Sequence, residues 1–147
     1  MAERLFLYGT LQFPQMMRAV LGRTHPMTPA ELPEFARFQV RRRVFPAVLP
    51  ATGGRVPGQI IEDVDAWTLE RIDDYEGPPF YRHRTTVQLG TGRHVEATVY
   101  LLRQRYHCLL LDRDWDPEQF RREWHDWYVR EYQQVYATGS DQNASDA

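Results

Sequence analysis

The apolar positions of this 147-residue chain change their spacing along its length, and the changes mark the elements. Leu5-Phe6-Leu7-Tyr8 is a short, aromatic-rich run ended by Gly9-Thr10, the pattern of a buried strand entering a turn. Pro14 suits a first helical turn; Met16, Met17, Val20 and Leu21 then supply a helical stripe, and Gly22 a stop. Residues 23–34, with Pro26, Pro29 and Pro33, read as loop. Strand-like segments follow at 35–40, 44–49 and 56–63, punctuated by Pro46, Pro50 and Gly53-Gly54.

A second helix is predicted from an N-cap at Asp65, with Val64 and Leu69 as a hydrophobic staple. It ends near Tyr75, because Gly77-Pro78-Pro79 cannot continue it. Arg84 to Leu89 and Val95 to Leu102, around Gly90-Thr91-Gly92, read as a β-hairpin. Val95, Ala97, Val99 and Leu101 share one face of its second strand; Glu96, Thr98 and Tyr100 share the other. Asp116-Pro117-Glu118-Gln119 opens a last helix over 116–136, with Phe120, Trp124, Trp127, Tyr128 and Val135 as its aromatic stripe. The small polar residues from about Thr138 to Ala147 read as a disordered tail. The order predicts one α+β domain over residues 1–137, with a curved or closed mixed sheet and flanking helices.

Composition narrows the chemistry. With 42% apolar residues the chain can bury one core, and a net charge of −2 with 26% charged residues argues against disorder and against nucleic-acid binding. No apolar run approaches a membrane helix, and the N-terminus lacks a signal-peptide profile, so a soluble cytoplasmic protein is expected. All 18 basic residues are arginine, which excludes lysine Schiff-base chemistry and phosphate-loop lysines. The single Cys108, ahead of Leu109-Leu110-Leu111, reads as a buried thiol, and the five histidines show no metal-ligand spacing. Trp124, His125 and Trp127 read as a packing face with a surface histidine, and Arg41-Arg42-Arg43 as a solvated edge. No metal and no cofactor is expected.

Two segments can carry chemistry. At Tyr8-Gly9-Thr10-Leu11 a strand ends just before a helix, and such a junction can aim successive backbone N–H groups at an anion. It is also a common turn. At Ile72-Asp73-Asp74-Tyr75-Glu76-Gly77 three carboxylates crowd a helix C-terminus, where the macrodipole disfavours negative charge. That crowding is either a solvated acidic helix end or a setting that raises one carboxyl into the range of a general base.

Taken together, these segments resemble the gamma-glutamylcyclotransferase-like family. Leu5 to Leu11 is similar to its opening signature, and Phe35-Ala36-Arg37-Phe38-Gln39-Val40, Phe45-Pro46-Ala47-Val48 and Val56-Pro57-Gly58 to its middle section. Ile72 to Gly77 with Phe80-Tyr81-Arg82 resembles its catalytic-acid motif, and Ala97-Thr98-Val99-Tyr100 its later strand. Trp115-Asp116-Pro117 through Tyr128 further resembles the avirulence-induced branch known from plants. Gln12 followed by Phe13-Pro14, and the stiff Gly77-Pro78-Pro79-Phe80 exit, depart from the family pattern and leave the substrate open.

The resemblance implies a small mixed β-barrel with helices and a cavity roofed by the Tyr8–Leu11 loop. It implies conversion of a γ-glutamyl amine to 5-oxoproline and free amine, without a cofactor. Glu76 would be the acid/base, and Tyr8, Gly9, Thr10 and Leu11 the substrate loop; Tyr81 and Tyr100 are further candidates to line the cavity. Such a substrate attacks itself, so no enzyme nucleophile is needed, in keeping with the absence of an obvious Ser-His-Asp or Cys-His signature. Two other readings stand beside this one: a binding module whose last helix covers the cavity mouth, and a hydrolase or acyl-transfer variant.

Overall fold

The computed structural model describes residues 2–146, the side chains of 137–146 excepted. Five strands, β1 (Glu3–Leu7), β2 (Thr28–Gln39), β3 (Pro46–Val64), β4 (Phe80–Leu89) and β5 (His94–Leu102), close into a barrel in the order β1-β3-β2-β4-β5. The parallel pair β1–β5, at Leu5↔Thr98, closes it; the other neighbours are antiparallel. Four helices flank it: α1 (Pro14–Leu21), α2 (Ala66–Glu76), α3 (Pro117–Glu123) and α4 (His125–Asp146). The predicted α+β mixed barrel is therefore present.

Strand alternation sorts the core into layers. Phe6, Leu32, Val56, Ile60, Val87 and Val99, with members from all five strands and none from a helix, fill the barrel interior. Their neighbours Leu5, Leu7, Ile61, Tyr100 and Leu102 face outward beneath Met17 and Val20 of α1 and Leu69 and Ile72 of α2. Tyr100 is thus buried although its strand face read as polar. The expected cap and staple hold α2: Thr68 N–H donates to Asp65 Oδ1 at 2.8 Å, and Val64 and Leu69 are buried in one cluster. Gly22, at φ 81°, ends α1 as expected.

The structure corrects the loop reading of 23–34, because β2 begins at Thr28 and carries Pro29 and Pro33 in register with Gln59 and Arg55. The two prolines are four residues apart, so their missing N–H groups fall on one edge of the strand. β2 has a second neighbour only at Ala30 and Glu31. The segments 44–49 and 56–63 are one long strand, β3. Residues 51–54 bulge from it between the pairs Phe35↔Pro50 and Pro33↔Arg55, opposite Glu34 at φ 66°.

The single helix expected over 116–136 is two. Asp116 caps α3, accepting from the N–H groups of Glu118 and Gln119, and the helix stops at Trp124, whose φ of −129° is not helical. The break turns His125 inward against Phe13 and Phe120. His125 is therefore buried rather than at the surface, while Trp124, Trp127 and Val135 of the expected stripe are exposed. The inward stripe is Phe120, Tyr128 and Tyr132. Cys108 is exposed as well, on a 3₁₀ turn (Gln104–Leu109) with no buried residue, rather than the buried thiol expected. The tail expected at 138–147 lies outside the residues whose side chains are described.

One position shows how tightly β1 meets β3. A methyl group at Gly58 would stand 2.3 Å from the Leu7 carbonyl and 2.6 Å from the Phe6 ring. At Gly90 it would meet nothing. Gly58→Ala is expected to cost about 3 kcal/mol or more, or to prevent folding, whereas Gly90→Ala stays within about 0.5 kcal/mol. Urea denaturation of the two variants checks the contrast.

Candidate active site

Where β1 ends, the chain is held from several sides. The Tyr8 hydroxyl donates to the Tyr100 carbonyl at 2.7 Å, and the Tyr8 carbonyl accepts from Arg37 Nη1 at 2.9 Å. Arg37 pairs with Asp114 through two contacts, at 2.8 and 3.2 Å, and lies over the Trp115 ring. A methyl group at Gly9 would press on the Pro46 ring at 3.1 Å. Thr10–Gln12 then form a 3₁₀ turn, with Gln12 and Phe13 donating to the carbonyls of Gly9 and Thr10. The N–H groups of Thr10 and Leu11, first in that turn, have no acceptor within it.

Helix α2 brings up the acids. Its last residue is Glu76, and Gly77, at φ 81° and ψ 179°, makes the exit with its N–H donating to the Asp73 carbonyl. The three carboxylates fare differently. Asp73 accepts from the Tyr100 hydroxyl at 2.6 Å and faces Arg82 at 3.2 Å. Asp74 is exposed and accepts from the Tyr136 hydroxyl at 3.1 Å. Glu76 makes no hydrogen bond and no ion pair among the described residues.

These elements surround a cavity of about 150 Å³, lined by Tyr8, Gly9, Thr10, Leu11, Glu76 and Tyr100 together with Leu7, Phe45, Pro46, Tyr75, Phe80, Phe120, Tyr128 and Tyr132. It offers room for roughly five water molecules, the scale of one small organic group. Among the described residues Glu76 is the one charged side chain in the lining. Part of its surface opens on the cavity, but protein surrounds it on the scale that governs ionic hydration. Burial first, and the nearby Asp73 second, push its carboxyl from the usual carboxylate range up to about 8. Burial also raises Tyr8, Tyr75 and Tyr100, so these hydroxyls keep their protons. Thr10 Oγ1 and the Tyr75 hydroxyl share a hydrogen bond at 2.5 Å, which ties the turn to the acid helix.

Of the residues singled out from sequence, Tyr8, Gly9, Thr10, Leu11, Glu76 and Tyr100 are brought together. Tyr81 is not. It is 39% exposed beneath the Arg103 guanidinium, because β4 reaches β2 only at Gln88 and Leu89 and its first half leans on β5 alone. Sequence reasoning missed Arg37, whose signal was an arginine between two aromatics in a strand. It also missed Tyr132, whose signal was the four-residue spacing of Tyr128, Tyr132 and Tyr136. Among the described residues no group of three or more His, Cys, Asp or Glu side chains is placed to hold a metal ion.

Residues 5–126 match the family described as "Gamma-glutamyl cyclotransferase, AIG2-like". The chain belongs to that family. It is 30% identical over 122 residues to AIG2-like protein C of Arabidopsis thaliana, covering 82% of this chain and 70% of that protein. AIG2-like protein A of the same plant is 35% identical over 80 residues, covering 54% of this chain and 48% of that protein. A solution structure from Arabidopsis thaliana superposes with a TM-score of 0.69 at 22% identity, covering 93% of this chain and 92% of the other. A structure titled gamma-glutamyl cyclotransferase superposes at 0.63 and 14% identity, covering 70% and 68%. At these identities the likeness is one of fold. In this AIG2-like chain no helix among the described residues is long and apolar enough to cross a membrane.

The raised carboxyl has a consequence for stability. Unfolded, Glu76 ionises near its ordinary value of 4.5; folded, it holds its proton to about 8. Between those values the unfolded chain binds fewer protons, so rising pH lowers stability through this group. Glu76→Gln removes the effect. The variant is expected to match the parent below pH 4.5 and to gain on it by about 1.4 kcal/mol per pH unit at most, levelling off near pH 8. Denaturation midpoints at pH 4, 6 and 8.5 read this directly.

Proposed function

We propose that this protein cyclises a γ-glutamyl amine to 5-oxoproline and releases the free amine, with Glu76 as the acid/base. The observation that carries the reading is a carboxyl without a partner among the described residues, in the lining of a small cavity that the Thr10–Gln12 turn also lines; burial there pushes it up to about 8. Family membership supports the reaction class.

The substrate's α-ammonium has a pKa of roughly 8, so its proton can pass to the Glu76 carboxylate at almost no cost. The freed nitrogen bonds to the γ-carbonyl carbon, and charge moves onto the carbonyl oxygen. Glu76 then returns its proton to the amide nitrogen as the C–N bond breaks, and the oxygen's electrons restore the carbonyl. The extra proton on the ring nitrogen leaves with the product amine as its ammonium form. Holding the chain curled supplies much of the acceleration, since well-oriented intramolecular reactions reach effective molarities on the order of 10⁵–10⁸ M. The N–H groups of Gly9, Thr10 and Leu11 receive the substrate's anionic oxygen, the α-carboxylate or the developing oxyanion. Tyr8 and Tyr100 hold the turn against β5, and no cofactor takes part.

Incubation with a panel of γ-glutamyl amines is expected to yield 5-oxoproline and the amine in equal amounts, read by mass spectrometry. Free glutamate in place of 5-oxoproline would identify a hydrolase, and no reaction despite binding would identify a binding module. Glu76→Gln should fold and lose about 10²–10⁴-fold in turnover; a fully active variant defeats the assignment. Because the reaction starts from the ionised carboxyl and the protonated substrate amine, kcat/KM should rise with pH up to about 8 and fall above it as the free amine loses its proton. The kcat limb should lie lower, because the bound ammonium favours the carboxylate.

A further inference from the structure

The cavity's lining changes character between its two sources. The β1 turn and the end of α2 bring backbone donors and a carboxyl, whereas α3 and α4 bring Phe120, Tyr128 and Tyr132. These rings form a continuous wall. Tyr132 meets Tyr75 edge-on at 4.9 Å and stacks on Tyr128 at 6.2 Å, and Tyr128 lies 6.0 Å from Phe120. Neither Tyr128 nor Tyr132 makes a side-chain hydrogen bond among the described residues. Where the chain could have placed its long exposed tryptophans, it placed these half-buried rings instead.

Among the described residues no arginine lines the cavity. Arg37, beneath the turn, is committed to Asp114 and to the Tyr8 carbonyl, and Arg82 to Asp73. On the reading above, Glu76 serves the α-ammonium of the glutamyl head and the turn serves its anionic oxygens. Any further charge on the amine half would be stripped of water against aromatic walls without a counter-charge, and a carboxylate there would also repel Glu76. An uncharged ring would instead bury apolar surface and meet ring edges and faces at contact distance.

We infer that the wall formed by Phe120, Tyr128 and Tyr132 is the subsite for the leaving amine and selects uncharged aromatic amines over amino acids. The inference rests on the cyclotransferase reading for its substrate class, and its test separates the two. γ-Glutamyl benzylamide, γ-glutamylglycine and γ-glutamyl-ε-lysine are compared as substrates of the full chain. The benzylamide is expected to be favoured by about tenfold or more in kcat/KM, the range an apolar pocket provides. Tyr132→Ala should bring the ratio toward one, and Tyr132→Phe, which keeps the ring, should retain it.

The same compounds are titrated calorimetrically against Glu76→Gln, where turnover does not intervene. The benzylamide is again expected to bind about tenfold more tightly. Equal or reversed affinities overturn the subsite, whether or not cyclisation occurs. Retained preference in binding with no 5-oxoproline from any compound overturns the cyclotransferase reading and leaves the aromatic subsite standing. Unchanged selectivity in a folded Tyr132→Ala protein also overturns the assignment.

Discussion

A carboxyl buried without a partner costs free energy wherever it sits, so the rest of the chain must impose its position. Glu76 is held in that state by three independent restraints. Asp65 caps the start of α2, Leu69 and Ile72 anchor its middle under the barrel wall, and Gly77 ends it abruptly. The helix dipole adds to the disfavour at the same end, because the last carbonyls of α2 point where the acid lies.

The neighbouring acids show what Glu76 avoids. Asp73 is one helical turn away on the same face, and Arg82 and the Tyr100 hydroxyl satisfy it at the rim. Asp74 reaches water. A single helix end therefore carries one neutralised, one solvated and one desolvated carboxylate. The third has its proton affinity moved near that of an amine.

The turn across the cavity is equally over-determined. Tyr8 spans the barrel end to the Tyr100 carbonyl, Arg37 holds the Tyr8 carbonyl, and the Pro46 ring lies close against Gly9. The α3–α4 arm then covers the remaining side with rings. The two sides of the cavity thus rest on different parts of the chain. The barrel and α2 position the acid, and the C-terminal helices shape what can lie beside it.

Local rules reach a definite distance into this protein. The cap at Asp65, the stops at Gly22 and Gly77, the hairpin around Gly90-Thr91-Gly92 and the crowding of acids at 73–76 are all set within a few residues of chain. They were therefore legible in the sequence, as was the resemblance carried by the ordered motifs. Interactions distant in sequence decided the rest. Pro29 and Pro33 entered a strand because β3 supplied the partner. The helix breaks at Trp124, where His125 packs on Phe13, and Tyr81, on the strand face opposite the cavity-lining Phe80, is exposed because β4 barely meets β2. The sequence by itself determined which carboxyls would gather at a helix end. Only the closed barrel and its aromatic cover decided that one of them would lose its water, because desolvation depends on atoms contributed by every part of the chain.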